Sequence, residues 1–456
     1  MPLDYPIHER TLPNGLRVIV SPDHLVPTVT VNLWVGVGSR HEVAGRTGFA
    51  HLFEHLMFQG SRSVASGEHF EALLAEGARL NATTWFDRTN YFETVPTGAV
   101  DLALWLEADR HGHLLEAVTQ ANLDNQRDVV KEEKRQRYDN PPYGQMLPDL
   151  YAVLFPEGHP YHHATIGSME DLDAATLDDV HAFFRRWYGP NNTVLTLCGD
   201  ITAEDGFAAA ERWFGELPAT ASPDDRDPVA LAPLSEPTRF ERRSAVPHDR
   251  LTMAFRLPVD LTPEFLAASL ALDILGGLAS SRLVRRLVRG SQEALSVNAT
   301  AWGLVDGASI GFLSVDVAAD ADVDAVEAQV LEELTRFAQE GPTSVEMEAA
   351  LAQSERGWLS ALAGQDERAD LIGHYAMLHG DAHLINHHLD DLFAITADQV
   401  RAAAADLLQP HQRAVVAHLR ERADDQPPTE EVGDGSDAPR ADDTDALDGD
   451  QEKVIA

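Results

Sequence analysis

Gly45-Arg-Thr-Gly48-Phe-Ala-His51-Leu-Phe-Glu54-His55-Leu-Met-Phe58-Gln-Gly60 sets three polar side chains into an otherwise apolar segment. Helical over 48–58, it places His51 and His55 one turn apart on a single face. Glu54 lies about 60° around the helix from His51 and about 100° from His55, so its carboxylate reaches the same space. Leu52, Phe53, Leu56 and Met57 take the remaining sides, which reads as a buried helix. Two imidazoles at i and i+4 can share one Zn²⁺. A nearby carboxylate that is not a ligand can then take a proton from a metal-bound water. Burying all three groups without a shared purpose would be costly. The segment is read as a metal-binding helix that still needs a third ligand.

Outward from this helix, β-branched runs at Arg17 to Ser21 and Val29 to Gly36 read as strands, the first preceded by an Asn14-Gly15 turn. Glu68 to Glu76 reads as a helix, and Arg79 to Thr84 and Asn90 to Val95 as strands. Val100 to Leu114, Gln120 to Arg137 and Leu172 to Trp187 read as helices, and Asn192 to Cys198 as a strand. Prolines 218, 223, 228, 233 and 237 then mark a linker. Beyond it the pattern restarts: strand Leu251 to Phe255, helices Pro263 to Leu275 and Ser281 to Arg289, and strands Ser296 to Trp302 and Ile310 to Asp316. Helices Val323 to Gln339, Ser344 to Ala363, Ala369 to His379 and Thr396 to Leu408 follow, then strand Arg413 to His418. The expected fold is α+β: two α/β-roll domains of similar plan, each a mainly antiparallel sheet packed against helices. The expected divisions are 1–217 for a zinc-binding domain, 218–237 for the linker, 238–420 for a domain without H-x-x-E-H, and 421–456 for a disordered acidic tail.

The composition, 44% hydrophobic and 7% aromatic over 456 residues, is that of a globular protein with substantial cores. No run of 18 apolar residues occurs. The opening Met1-Pro-Leu-Asp-Tyr-Pro has neither a basic nor an apolar stretch, and cysteine is limited to Cys198, so a cytoplasmic protein without disulfides is expected. Cys198 itself reads as a small core residue. The net charge of -39 argues against nucleic-acid or anionic-membrane partners. Residues 421–456 carry thirteen acidic and three basic residues with few apolar ones, a disordered composition.

Downstream, Arg127-Asp-Val-Val-Lys-Glu132-Glu133 lies in a helical stretch. With H-x-x-E-H, it resembles the inverzincin peptidases, family M16, of pitrilysin, insulin-degrading enzyme and the mitochondrial processing peptidase. Their signature adds a glutamate ligand in an R-D/E-x-V/I-x-x-E helix. The local pattern points to Glu133 and the family's usual spacing to Glu132; loop lengths drift more readily than helix phase, so Glu133 is expected. The resemblance covers Glu9 to about Leu419. It implies one zinc per chain on His51, His55 and Glu133, with Glu54 as general base in the hydrolysis of unfolded segments or short peptides. It also implies an edge strand for substrate at Asn81, Ala82 and Thr83. In the second half, Gly276 to Leu283 resembles the segment that opens the matching helix, and Arg368 and Tyr375 match a pair that would steady the oxyanion. Gln126 stands where many members have a second glutamate. A single half of this kind implies a homodimer, or a heterodimer with a metal-less paralogue. The alternative is a catalytically inactive member serving as a structural or assembly subunit.

Two further histidine groups carry less. His159-Pro-Tyr-His-His163 is broken by its proline and reads as a loop. His379, His383 and His387, at i, i+4 and i+8, read as a solvated helix face rather than a metal stripe.

Overall fold

The computed structural model describes residues 3–221, 228 and 230–421. The expected tail from Arg422 onward, and part of the expected linker, lie outside the described residues. Eleven strands form two sheets among the described residues. The first comprises β1 (His8–Thr11), β2 (Arg17–Pro22), β3 (Thr28–Val35), β4 (Arg79–Thr84), β5 (Thr89–Pro96) and β6 (Thr193–Gly199), in the order β1-β2-β6-β3-β5-β4. The second comprises β7 (Thr238–Ser244), β8 (Arg250–Leu257), β9 (Ala294–Trp302), β10 (Ser309–Val317) and β11 (Ala414–Arg420), in the order β7-β11-β8-β10-β9. Each sheet holds one parallel pair, β2 with β6 and β7 with β11, and is otherwise antiparallel.

The helices of the first half are α1 (Phe49–Leu56), α2 (Glu68–Ala75), α3 (Val100–His113), α4 (Gln120–Lys134), α5 (Met146–Leu154), α6 (Met169–Ala174), α7 (Leu177–Trp187) and α8 (Ala203–Phe214). Those of the second are α9 (Pro263–Leu272), α10 (Val323–Glu340), α11 (Ser344–Ala363), α12 (Gln365–Leu378), α13 (Leu384–Phe393) and α14 (Ala397–Leu407). None is long and apolar enough to cross a membrane. The expected single helix from Leu172 to Trp187 is two, because Thr176 caps α7 by accepting from the backbone N–H of Asp179. A cap of this kind is worth about 1 kcal/mol. The expected helices Pro263 to Leu275 and Ser281 to Arg289 widen into π-helical turns at Asp273–Gly277 and Val284–Gly290.

Strand alternation gives the first sheet two buried faces. Val29, Val31 and Leu33 of β3 pack with α3 and α8, whereas Trp34, with Ile19 and Val194, packs against Ile372, Tyr375 and Ala376 of α12. That helix belongs to the second half of the chain. Its Asp370 accepts from Trp34 Nε1 at 2.8 Å and Asn90 Nδ2 at 2.7 Å. The reverse exchange is made by α5. Its Leu150, Tyr151 and Leu154 cover Ala254, Ile310 and Val416 of the second sheet, and Asp149 takes both arms of Arg242 at 2.7 Å. The other face of the second sheet packs against α9, α10 and α14.

Candidate metal centre

α1 begins where Gly48 adopts φ +83°, a conformation a side chain rarely tolerates, and a Cβ there would lie 2.7 Å from the Ile166 carbonyl oxygen. The buried carboxylate of Glu42 caps the helix, accepting from the backbone N–H of Gly48 at 2.9 Å and of Ala50 at 2.8 Å. Phe49, Leu52, Phe53 and Leu56 are buried in a core shared with α4 and α7. This anchoring fixes the rotation of the helix and turns His51 and His55 toward α4.

From α4, Glu133 Oε2 lies 3.6 Å from His51 Nε2 and 3.2 Å from His55 Nε2. The three donor atoms lie within 4.8 Å of one another. Of the two adjacent glutamates, Glu133 faces the imidazoles, while Glu132 is exposed and pairs with Arg135 at 2.8 Å. α4 continues into a π-helical stretch, Arg135–Asp139, and Arg137 there meets the other oxygen of Glu133 at 3.0 Å.

The electrostatics suit a cation. Burial lowers the pKa of His51 to about 4, so its ring is neutral and offers a lone pair. Glu133 sits below the usual carboxylate range: burial alone would raise it, but its hydrogen bond to His55 and the nearby charges of Arg137 and His55 prevail. For His55 burial acts downward and is outweighed by the Glu133 hydrogen bond, so its pKa is raised. Two imidazoles and a carboxylate converging in this way fit a tetrahedral zinc site with one position left open. Gln126 lies beside His55 and favours the charged form of its ring.

Glu54 is not among the converging donors. Its Oε2 accepts from Thr84 Oγ1 at 2.5 Å, and burial raises its pKa. Beyond Thr84, the β4–β5 hairpin brings Arg88 under the influence of both Glu54 and Asp370, with its guanidinium over Trp34 at 5.0 Å. From sequence Thr84 reads only as part of the edge strand beside the metal, and Arg88 and Arg137 carry no signal of these contacts. Nothing local to a hairpin arginine announces which helix it will meet.

Similarity to known proteins can be set against this geometry. The family model described as "Insulinase (Peptidase family M16)" matches residues 17–156, and that described as "Peptidase M16 inactive domain" matches residues 174–354. The uncharacterized zinc protease ML0855 of Mycobacterium leprae is 30% identical over 409 residues, covering 89% of this chain and 90% of its own length. The chain belongs to peptidase family M16. The zinc protease PqqE of Helicobacter pylori is 26% identical over 87% of this chain and 90% of its own. The crystal structure of a protease from Helicobacter pylori has the same fold, with a TM-score of 0.84 at 24% identity over 91% of this chain and 99% of that one.

In this M16 chain the remaining expected site residues are placed differently. Arg368 and Tyr375 are not brought to the centre. They lie on α12, across the sheet from α1, and neither forms a hydrogen bond or ion pair with His51, Glu54, His55 or Glu133. Arg368 is 4% exposed and donates to Asp23 Oδ2 at 2.5 Å, the Leu362 carbonyl at 3.0 Å and Cys198 Sγ at 3.3 Å. The Tyr375 hydroxyl is spent on His388 Nδ1 at 3.1 Å. Within this chain both side chains are engaged by the fold and not by the His51, His55 and Glu133 cluster. β4, with Asn81, Ala82 and Thr83, is the terminal strand of its sheet and packs beside α1. The Thr83 carbonyl already accepts from Arg88 at 2.9 Å. His159 to His163 form a loop, in which His163 Nε2 lies 2.9 Å from Glu42. The expected face of His379, His383 and His387 does not exist as one helix: α12 ends at Leu378, and Gly380 turns the chain at φ +78°.

Proposed function

We propose that this chain is a zinc-dependent endopeptidase acting on unfolded segments or short peptides. The observation that carries the reading is the meeting of His51 Nε2, His55 Nε2 and Glu133 Oε2 beside a buried carboxylate, Glu54, that is not one of the donors. Zinc held there would acidify a water and polarise a peptide carbonyl. Thr84 occupies Oε2 of Glu54, which leaves Oε1 to take the proton of the attacking water and pass it to the leaving amine. The edge position of β4 supports recognition by strand addition, which an extended peptide can satisfy and a folded protein cannot. With Arg368 and Tyr375 committed within the fold, enclosure of the peptide and support of the oxyanion fall to a second chain, either another copy or a metal-less paralogue. We place the protein in the cytoplasm, consistent with the buried single thiol.

The test is Glu54→Gln. The variant should hold as much zinc at the first centre as wild type and lose cleavage of a mixed peptide library by about 10²–10⁴-fold. Cleavage at the wild-type rate would remove Glu54 from the base role. If wild type holds zinc and cleaves nothing, alone or with candidate paralogues, the assembly-subunit reading takes its place.

A further inference from the structure

Fold closure assembles a second set of donors that the sequence keeps far apart. Asp260 lies in the loop after β8, and His374 and His379 lie at the end of α12. Asp260 Oδ2 is 3.4 Å from His374 Nε2 and 3.1 Å from His379 Nε2, and the three donor atoms lie within 4.8 Å of one another. A tetrahedral zinc with N and O ligands at their usual lengths has ligand-to-ligand edges of about 3.3 Å. The corresponding edges at the first centre are 3.6 and 3.2 Å, so the two sets are equally compact. The paired rings also correspond: centroids 5.2 Å apart for His374 and His379, 4.8 Å for His51 and His55.

The donors are held in place before any ion arrives. The Asp260 backbone N–H donates to the Leu304 carbonyl at 3.0 Å, and Oδ1 accepts from the Leu261 N–H at 2.9 Å, which leaves Oδ2 directed at the imidazoles. Gly303 makes room, since a Cβ there would lie 2.2 Å from Oδ1. His374 is packed edge-on against Trp34, centroids 5.8 Å apart. The side chains are 11% (Asp260), 28% (His374) and 14% (His379) exposed, enough for an ion to enter from solvent. The third such cluster among the described residues, His69, Glu93 and Glu107, is different: its Glu107 already holds the Arg110 guanidinium at 2.9 Å, and all three side chains are sealed from solvent.

We infer that Asp260, His374 and His379 form a second divalent-cation site, of zinc type, that clamps the end of α12 to the β8–α9 loop. The donor set suits Zn²⁺ and Co²⁺ over Mg²⁺ or Ca²⁺. Because α12 lies on the first sheet, an ion here would tie the two halves of the chain together.

The experiment is zinc stoichiometry of the full chain after dialysis at fixed free Zn²⁺, with circular dichroism to verify folding. Wild type should hold about two ions, His55→Ala about one and His379→Gln about one. His55→Ala leaves the second cluster intact, so its remaining ion reads that cluster without disturbing it. Co²⁺ added to His55→Ala should develop the visible bands of a low-symmetry site and raise Tm. A folded His55→Ala protein that binds no zinc and shows no such bands would overturn the inference and leave Asp260 as an ordinary partner of two histidines. Wild type with one ion and a folded His379→Gln with none would support this site while sinking the zinc peptidase reading, so the two can fail separately. Asp260→Asn repeats the measurement should His379→Gln not fold.

Discussion

Strand for strand, β2-β6-β3-β5-β4 and β7-β11-β8-β10-β9 follow the same order, with one parallel pair at the same place in each. The contrast lies in the helix that follows the middle strand, β3 or β8. In the first half α1 buries Phe49, Leu52, Phe53 and Leu56 and turns His51, Glu54 and His55 toward α4 and β4. In the second half α9 buries Phe265, Leu266, Ala267, Ala268, Leu270, Ala271 and Leu272, apolar on every side. The sheet demands a cover and is indifferent to what that cover carries elsewhere. One plan therefore puts candidate metal ligands on this helix in one half and only packing residues on it in the other.

Glu133 is where this contrast breaks most sharply. Glu133→Gln should lower cleavage by more than the roughly 10–100-fold typical of losing a supporting partner of a metal ligand. The fold should be kept, and unchanged cleavage with unchanged zinc would exclude Glu133 as a ligand. In the apolar counterpart, Leu270→Ala should cost about 2–4 kcal/mol in urea denaturation and leave the activity of the folded fraction unchanged. A loss of activity without a loss of stability there would mean that the second half does more than pack.

Asp273, just beyond α9, sharpens the contrast through pH. Burial raises its pKa to about 7, and no partner offsets this. A carboxyl whose pKa is higher folded than unfolded costs nothing below about pH 4, destabilises increasingly from about pH 4 to 7, and holds that penalty above. Asp273→Asn should therefore match wild type at pH 4 and exceed it by about 1–3 kcal/mol at pH 8, the partial exposure of the side chain keeping the gain below the full value of the shift. Equal stability at both pH values would show that water reaches the carboxylate freely. The smallest effect is expected at Gln126. Gln126→Glu places a carboxylate against His55, and zinc at the first centre should bind about tenfold more tightly, read by competition with a chelator.

The convergence of His51, Glu54 and His55 was legible because helix periodicity carries it within five residues. Glu133 was legible as a choice between two neighbours that helix phase could order. Most strands showed themselves by β-branched runs, but β1 and β7 did not. His8-Glu-Arg-Thr11 and Thr238-Arg-Phe-Glu-Arg-Arg-Ser244 are polar because each edges its sheet, and edge strands do not need apolar residues on both faces. α5 was hidden by Pro148 near its start, and α13 by reading its histidines as a continuation of α12. Arg368 and Tyr375 fitted a spacing pattern, yet spacing does not say which face of a sheet a helix will cover. Asp260 and His374 are more than a hundred residues apart, and only the docking of α12 makes them neighbours.

The crossed placement of α5 and α12 bears on how this molecule can be taken apart. Each half lends an arm that the other half wears over its open flank. Severing the backbone between Leu217 and Thr238 would leave two pieces clasped by those arms, a nicked protein rather than two free domains. Either piece made alone would present a bare, greasy sheet surface to water and look for a substitute sleeve. The halves share a blueprint, but they are not separable lodgers: whatever inherits one must inherit both.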